Sequence, residues 1–317
     1  MQVLPAFIGV DVSKAELVIA AHGQDHCLSV ANECSAITQW LRTLPAGCML
    51  AMESTGPYHQ RLAHLAAGMG LTVFVLNARD VFFYAKSMGA RGKTDRVDAR
   101  LIARYVAEHH QRLYPYRVPS ACQAELKQLM GQRWTVVSKR TALRASPKDC
   151  QASIGQASSA LDEAFAHLLR AIDERITALI DSDARLHGAR CLLQGIVGIG
   201  AQTSALLASL LARLSFADSD ALVAYSGLDP RANDSGRSRG RRHLSKRGPA
   251  ALRYQMFMAA MSACRSSAFA GVYQALLARG LKTTEALVIL ARKLLRIAFA
   301  VWRSGLPFET HRFTKNA

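Results

Sequence analysis

Five short apolar runs in the first third of the chain restrict its fold more than any other feature: AFIGV at 6–10, ELVIAA at 16–21, CLSVA at 27–31, CMLAM at 48–52 and LTVFVL at 71–76. Runs of this length and composition read as strands, and their connections decide how they pair. The first three follow one another through short turns, which joins them as antiparallel hairpins. The later ones are separated by the helical patterns AITQWLRTL and HQRLAHLAAGM, crossovers long enough to set strands parallel. The expected first domain, residues 1–115, is therefore α/β, with a mixed sheet that is antiparallel first and parallel afterwards.

From about Pro119 to Ile180 the strand signals vanish. Two long helical patterns flank the Ser/Gln/Gly-rich stretch ASPKDCQASIGQASSA. In the second, Leu161, Phe165, Leu168, Ile172, Ile176 and Leu179 recur at spacings of three and four, which lays one apolar stripe along a helix. This all-helical, coiled-coil-like linker, residues 116–185, reads either as a hairpin closed within one chain or as a surface for making a homo-oligomer. Residues 186–317 read as helices joined by Gly-rich turns, with no strand-rich unit. The apolar stretch LVILARKLLRIAFAVW is broken by Arg292, Lys293 and Arg296, whereas a membrane span needs about 20 mostly apolar residues. It reads as a buried or basic-faced helix, and no membrane partner is expected. No signal peptide is evident at the N-terminus, and the seven cysteines form no CxxC pair or Cys/His ligand spacing. A reducing cytoplasm is the expected location.

Lys and Arg outnumber Asp and Glu by 40 to 23, and a formal charge of +17 favours a polyanionic partner, nucleic acid before membrane. In so basic a chain the acids matter by position. Asp11 directly follows the strand pattern FIGV and Glu53 directly follows CMLAM. If these strands are parallel neighbours, both carboxylates stand at the carboxyl edge of the sheet, where open α/β folds place ligands. Asp95 and Asp98 lie in GKTDRVDARLIARYV, a helix that Thr94 can cap, and their spacing of three puts both on one face near its N-terminus. Each acid alone has an ordinary structural explanation: Asp98 can pair with Arg91 or Arg100, and Asp11 can cap the turn into SKAEL. Four converging carboxylates, however, repel one another unless cations lie between them. Hard oxygen donors suit Mg²⁺ or Mn²⁺ rather than zinc, as in sites that activate an attacking oxygen and stabilise a leaving one.

Two later segments bear on nucleic acid. CLLQGIVGIGAQTSALLASLL reads as two helices joined by the turn GIVGIG, in which Gly198 and Gly200 allow a tight bend that can face backbone amides to a phosphate. A helical hairpin used only for packing has the same pattern. After YSGLDPRAND comes Ser235, then Gly236 and the run Arg237, Arg239, Arg241, Arg242, His243, Lys246, Arg247. Arginines can hold a scissile phosphate and stabilise its added charge, and Gly236 permits close backbone approach. Residue chemistry alone does not separate Ser235 from Ser238 or Ser245 as a nucleophile, nor from a phosphate-binding loop without one.

The segments IGVDVSK, AMESTG and GKTDRVDARLIA resemble the acidic motifs of the DEDD transposases of bacterial insertion sequences, relatives of the Piv-type DNA invertases. The resemblance runs from Ile8 to about Phe308. It implies a RuvC-like, ribonuclease-H-like catalytic domain in which Asp11, Glu53, Asp95 and Asp98 bind the catalytic metal. It also implies a helical transposase domain, 186–317, carrying a helix-hairpin-helix. Within SGLDPRANDSGRSRGRRHLSKRGPAALR the family's nucleophilic serine falls on Ser235. Lys246, Gly248 and Arg253 also take matching positions and are expected to touch a nucleic-acid backbone. This segment has more arginines and fewer serines after the Ser-Gly pair than is usual in the family. The activity implied is DNA cutting and rejoining through a 5′-phosphoserine, on donor and target DNA, guided by an element-encoded bridge RNA, in a dimer or tetramer. Two rivals differ in chemistry: a junction-resolvase-like nuclease with water as nucleophile, and a nucleic-acid-binding scaffold without catalysis.

Overall fold

A computed structural model describes residues 6–54, 56–89, 94–146, 151–231, 234–235, 238–240 and 242–309, with the backbone alone at 151–153, 234–235 and 238–239. The chain divides into two compact units, Met1–Val118 and Pro119–Ala317.

Each of the five apolar runs of the first unit forms a strand: β1 (Phe7–Val12), β2 (Glu16–Ala21), β3 (Cys27–Ala31), β4 (Met49–Glu53) and β5 (Thr72–Leu76). They form one sheet in the order β3-β2-β1-β4-β5. The β1–β2 and β2–β3 pairs are antiparallel, whereas β1–β4 and β4–β5 are parallel, as the connection lengths require. The alternation of side chains along each strand then assigns the two faces. Ile8, Val10, Val12, Leu17, Ile19, Leu50 and Met52 point to one side and bury Ile37, Trp40 and Leu41 of α1 (Cys34–Leu41) and Leu62, Ala63 and Ala66 of α2 (His59–Gly68). The opposite face meets α4 (Asp95–His109), whose Ile102 and Val106 join Ala51, Phe74 and Leu76, while Ala99 meets Val18 and Ala20. Val81 of α3 (Ala78–Ser87) joins the same layer. The sequence pattern does not announce α3, although it is well terminated. The Asn77 side chain accepts from the Arg79 N–H at 2.9 Å, Asp80 sits in the first turn and Lys86 in the last, each complementing the helix dipole.

The second unit is mainly helical: α5 (Ala121–Arg144), α6 (Gln151–Asp181), α7 (Ala184–Gln194), α8 (Ala201–Arg213), α9 (Ser219–Ser226), α10 (Ala250–Ala263), α11 (Ala270–Ala278) and α12 (Thr283–Ser304). A Ser120–Gln123 capping box starts α5. Helices α5 and α6 run antiparallel and are clamped by Arg–carboxylate pairs: Arg133–Asp173 at 2.7 Å, Arg175–Glu125 at 2.7 Å, and Arg140 and Arg144 on Asp162 at 2.8 and 2.6 Å. Both arginines hold the Asp162 carboxyl far below the usual carboxylate range. Ile172, Ile176 and Leu179 of the expected stripe are buried against Leu126 and Val136, which closes a hairpin within the chain. Leu161 and Leu168, nearer the hairpin's other end, remain 48% and 40% exposed.

The basic-interrupted stretch is α12, the central helix of this unit. Leu290, Ala291, Leu294, Leu295 and Ala298 are fully buried, and Arg296 reaches Asp220 at 2.8 Å. No helix among the described residues is long and apolar enough to cross a membrane. Among the described residues the departure from the all-helical expectation is the basic loop itself. It contains four two-residue strands, β6 (Pro230–Arg231), β7 (Asp234–Ser235), β8 (Ser238–Arg239) and β9 (His243–Leu244), paired β6–β9 and β7–β8.

Candidate functional sites: an acidic sheet edge and a serine hairpin

The four acids are set by the sheet and one helix. In β1 and β4 the parallel register runs from Phe7↔Met49 to Val10↔Met52, and one further step brings Asp11 opposite Glu53. Both lie in the last positions of their strands rather than beyond them, at the carboxyl edge. Asp11 shares its face with Gly9, and Glu53 shares its face with Ala51, the face covered by α4. Gly9 is what lets α4 descend onto the sheet: a Cβ there would stand 2.2 Å from both the Ala103 nitrogen and the Ala99 oxygen. Along α4 the sheet-facing stripe is Ala99, Ile102, Ala103 and Val106, all fully buried, and at helical spacing it continues backwards to Asp98 and Asp95. The stripe thus changes from apolar to acidic where it reaches the end of β1. Thr94 starts the helix, with its Oγ1 accepting from the Val97 N–H at 3.3 Å and its carbonyl from the Asp98 N–H at 2.9 Å.

The electrostatics of Asp11 report this convergence. Its pKa is pushed up to about 6, first by burial and then by the charges of Asp95, Asp98 and Glu53, against a smaller opposite effect from the Val12 N–H. The turn into β2 is closed by Ser13, whose Oγ accepts from the Glu16 N–H at 2.9 Å. Arg100 is turned to the Asp25 carbonyl, and Arg91 lies outside the described residues. Among the described residues no three His, Cys, Asp or Glu side chains already surround a common point. The donor set nonetheless fits a hard divalent cation: it is all carboxylate, and its central member retains its proton above the ordinary carboxylate range because it is half-buried and its neighbours are acids.

Two residues that the sequence pattern left unmarked shape this edge. Gly9 is the first. Asn32, 3% exposed, is the second: its Nδ2 donates to the Ser13 carbonyl at 2.8 Å and to the Tyr58 carbonyl at 3.4 Å. It thereby ties together the segments that follow Asp11 and Glu53. Neither carries a sequence signal, since each is defined by a contact between distant segments.

The glycine turn joins α7 to α8. Gly198 has a left-handed φ of 91° and lies so close to α10 that a Cβ would stand 2.6 Å from both the Ala259 oxygen and the Ala263 Cβ; its immediate role is packing. Gly200 is the N-cap of α8 with no side-chain cap, and a Cβ there would meet nothing within 4 Å.

The basic loop has a fixed frame beneath a small hairpin. At its base the Ser245 N–H donates to the Asp229 carbonyl at 2.9 Å and the Lys246 N–H to the Gly227 carbonyl at 3.0 Å, while Pro230 and Arg231 pair with Leu244 and His243. Gly227 and Gly248 make the join possible. A Cβ on Gly248 would fall 1.7 Å from the Tyr225 oxygen, and Gly227 has φ 71° with the Arg247 and Gly248 nitrogens 2.8 Å from its virtual Cβ. The Arg253 guanidinium is engaged in the same frame, its Nη1 donating to the Ser226 carbonyl at 3.3 Å and to that of Gly248. Ser245 is 7% exposed and its Oγ donates to Asp229 Oδ1, so of the three candidate serines this one is committed to the frame. Above it, Asp234 pairs with Arg239 and Ser235 with Ser238. Ser235 therefore ends β7, next to residues 236 and 237. Gly236, Arg237 and Arg241 lie outside the described residues, and Arg242 and Lys246 are exposed.

Both regions match known families. Residues 8–149 match a transposase family of the DEDD, IS110 type, and residues 190–274 match the family described as transposase IS116/IS110/IS902. The chain is 30% identical over 318 residues to the pilin gene-inverting protein of Moraxella bovis, covering 96% of this chain and 97% of that one. It is equally similar to the pilin gene-inverting protein of Moraxella lacunata, with the same coverage. It is 32% identical over 143 residues to the insertion element IS110 uncharacterized 43.6 kDa protein of Streptomyces coelicolor, 44% of this chain and 34% of that protein. The acidic edge lies inside the first family match and the serine hairpin inside the second, and the chain belongs to the IS116/IS110/IS902 family of insertion-sequence transposases, enzymes of DNA recombination.

Proposed function

We propose that the protein cuts and rejoins DNA strands through a covalent bond to Ser235, with Asp11, Glu53, Asp95 and Asp98 holding Mg²⁺ or Mn²⁺ at the reacting phosphate. The observation that carries this reading is the convergence of three other carboxylates on a half-buried Asp11 at the carboxyl edge of the sheet. A divalent ion there supplies charge stabilisation to the phosphate and to the oxygens entering and leaving it. The chain's own residues do the rest. In the first step the Ser235 Oγ bonds to phosphorus, the P–O3′ bond breaks, and the departing 3′ oxygen takes up a proton as the serine loses one. The product is a seryl 5′-phosphate and a free 3′-hydroxyl. In the second, a 3′-hydroxyl of the exchanged strand attacks the seryl ester and restores the hydroxyl of Ser235. One ester replaces another at each step, so strand joining needs no nucleotide cofactor.

That conservation supports serine over water as nucleophile. A pilin gene-inverting protein bears a name that implies rejoining, and hydrolysis would discard the bond that rejoining needs. Arg237, Arg239, Arg241, Arg242 and Lys246 hold phosphates around Ser235, while Arg253 holds the frame on which the hairpin stands. Gly198 and Gly200 shape a turn from which the amides at the start of α8 can meet DNA backbone, as in a helix-hairpin-helix. The partners in this reading are donor and target DNA, an element-encoded bridge RNA that pairs with them, and further copies of the chain in a dimer or tetramer. The α5–α6 hairpin supplies the copy-to-copy contact through its exposed Leu161 and Leu168. The site of action is the bacterial cytoplasm, at the nucleoid.

A cleavage assay on supercoiled DNA carrying the element's ends, with the cognate RNA, tests the reading. Strand breakage is expected to need Mg²⁺ and to disappear in Asp11→Asn and in Ser235→Ala. Nicking by Ser235→Ala at the wild-type rate would make water the nucleophile.

A further inference from the structure

Helix α3 presents an unusual outer face. Val81 is buried and Tyr84 is held between neighbours, with its ring 5.1 Å from that of Tyr105 and 5.8 Å from that of His109 and its hydroxyl donating to Glu108 at 2.7 Å. These contacts fix which side of α3 meets α4. On the other side Arg79, Phe82, Phe83 and Lys86 fall at helical spacings of three, four and seven, all exposed. A solvent face of an ordinary helix is polar, yet here two adjacent phenyl rings are 53% and 45% exposed. The rings stand edge to face at 5.6 Å. The flanking cations lie over them: the Arg79 guanidinium is 5.5 Å from the centre of Phe83, and the Lys86 ammonium is 4.8 Å from the centre of Phe82.

The stripe begins beside the acids. Strand β5 ends at Leu76, the register partner of Glu53, and the Leu76 carbonyl accepts from the Ser54 N–H at 2.9 Å. Asn77 then turns the chain into α3 at the carboxyl edge. Arg79 is the end of the stripe nearest Glu53, and Phe83 follows roughly 9 Å along the helix axis from Asn77 at about 1.5 Å per residue.

We propose that this face of α3 binds the unpaired bases of a DNA strand beside the acidic site, with Phe82 and Phe83 stacking on bases and Arg79 and Lys86 holding the adjoining phosphates. The inference deepens the DNA-cutting reading of the acids and rests on it. Phenyl faces accept any base, which suits a strand whose sequence the protein does not read. Cations at both ends of the apolar pair match a polyanion. An apolar protein surface would instead have to desolvate both charges to reach the rings. In the free protein the two cations cover the ring faces, and on binding they move to phosphates while bases take their places.

The test uses the full-length protein and fluorescence anisotropy with a labelled 12-nucleotide DNA strand, the same sequence as a duplex and the same sequence as RNA, in Ca²⁺ to suppress cleavage. The double variant Phe82→Leu/Phe83→Leu keeps apolar bulk at exposed positions and removes the π faces. It is expected to weaken binding of the DNA strand about 10-fold or more and to change duplex binding less than about 2-fold, with an unchanged thermal transition and sedimentation coefficient. Arg79→Gln/Lys86→Gln is expected to lower the salt dependence of strand binding by about two phosphates. Unchanged strand binding in the leucine variant, an equal loss on duplex, a loss confined to RNA, or a lower oligomeric mass would each overturn the proposal. Asp11→Asn separates the two readings. It is expected to bind the DNA strand as the wild type does while failing to cut, and if it still cuts, the acidic-site reading fails whatever α3 binds.

Discussion

The acidic edge and the serine hairpin solve opposite structural problems. The acids grow out of the most buried part of the first unit: Asp11 and Glu53 directly follow the fully buried Val10 and Met52 near the ends of their strands, and Asp95 and Asp98 extend a helix stripe that Gly9 draws against the sheet. Their placement is a consequence of the core, and their mutual repulsion is borne by it. Ser235 stands on a two-residue strand held by one neighbour, above a frame made of main-chain bonds, two crowded glycines and a buried Ser–Asp contact. The proposed metal site needs carboxylates fixed against repulsion, whereas the proposed nucleophile needs only a local hairpin on a rigid base.

Substitutions break this comparison in order of size. Asp98→Asn, or Asp11→Asn, is expected to reduce DNA strand cleavage on the order of 10³-fold, measured by single-turnover nicking, while the fold persists. Gly9→Ala reaches the same acids through the core. With a Cβ 2.2 Å from α4 backbone atoms, α4 must lift, which costs about 3 kcal/mol of stability and about 100-fold in cleavage as Asp95 and Asp98 move. Urea unfolding together with the nicking rate checks both effects. A Gly9→Ala protein with normal cleavage would show that the acids do not depend on the α4 contact.

The hairpin frame gives the next effect. Asp229→Ala leaves the buried Ser245 hydroxyl without its acceptor and is expected to cost about 1–3 kcal/mol. It should lower strand transfer while leaving Mg²⁺ binding untouched, as followed by isothermal titration with Mg²⁺. The smallest effect concerns Asp11 and pH. Its folded pKa, near 6, lies above that of an unfolded aspartate, so the folded state holds this proton more tightly. The corresponding stability is complete at pH below about 4 and is lost as pH rises through about 6. Metal-free wild-type protein should therefore gain from Asp11→Asn at pH 7.5, by about 1–2 kcal/mol after allowance for partial exposure, and should gain nothing at pH 3.5. Thermal unfolding in EDTA at the two pH values checks this, and no gain at pH 7.5 would mean that neither burial nor the neighbouring acids raise the Asp11 pKa. Since the same proton competes with a divalent ion, cleavage is expected to fall as pH drops below about 6.

The legibility of the chain followed the same divide. The five strands, their order and the acidic positions could be read because apolar runs, connection lengths and strand-end carboxylates are local signals. Helix α3 was hidden because Val81 alone of its residues is buried, so no core-facing apolar stripe announces it. The strands β6–β9 were hidden because two-residue strands carry no alternation. Gly9 and Asn32 were unmarked because α4 and the Tyr58 segment, both distant in sequence, define their roles. Among the serines, residue chemistry offered three and family resemblance chose Ser235. The structure independently withdraws Ser245, whose hydroxyl is buried on Asp229, and leaves Ser235 and Ser238 as backbone register partners in one strand pair.

Which serine carries the covalent strand is the most direct test of the proposed chemistry. A nicked DNA substrate that releases its leaving strand traps any covalent intermediate, and peptide mapping of the denatured complex identifies the serine that carries it. The account predicts a 5′-phosphate adduct on Ser235 in the wild type and in Ser238→Ala, and none in Ser235→Ala or Asp11→Asn. An adduct on Ser238, an adduct that survives Asp11→Asn, or cleavage without any adduct would contradict it.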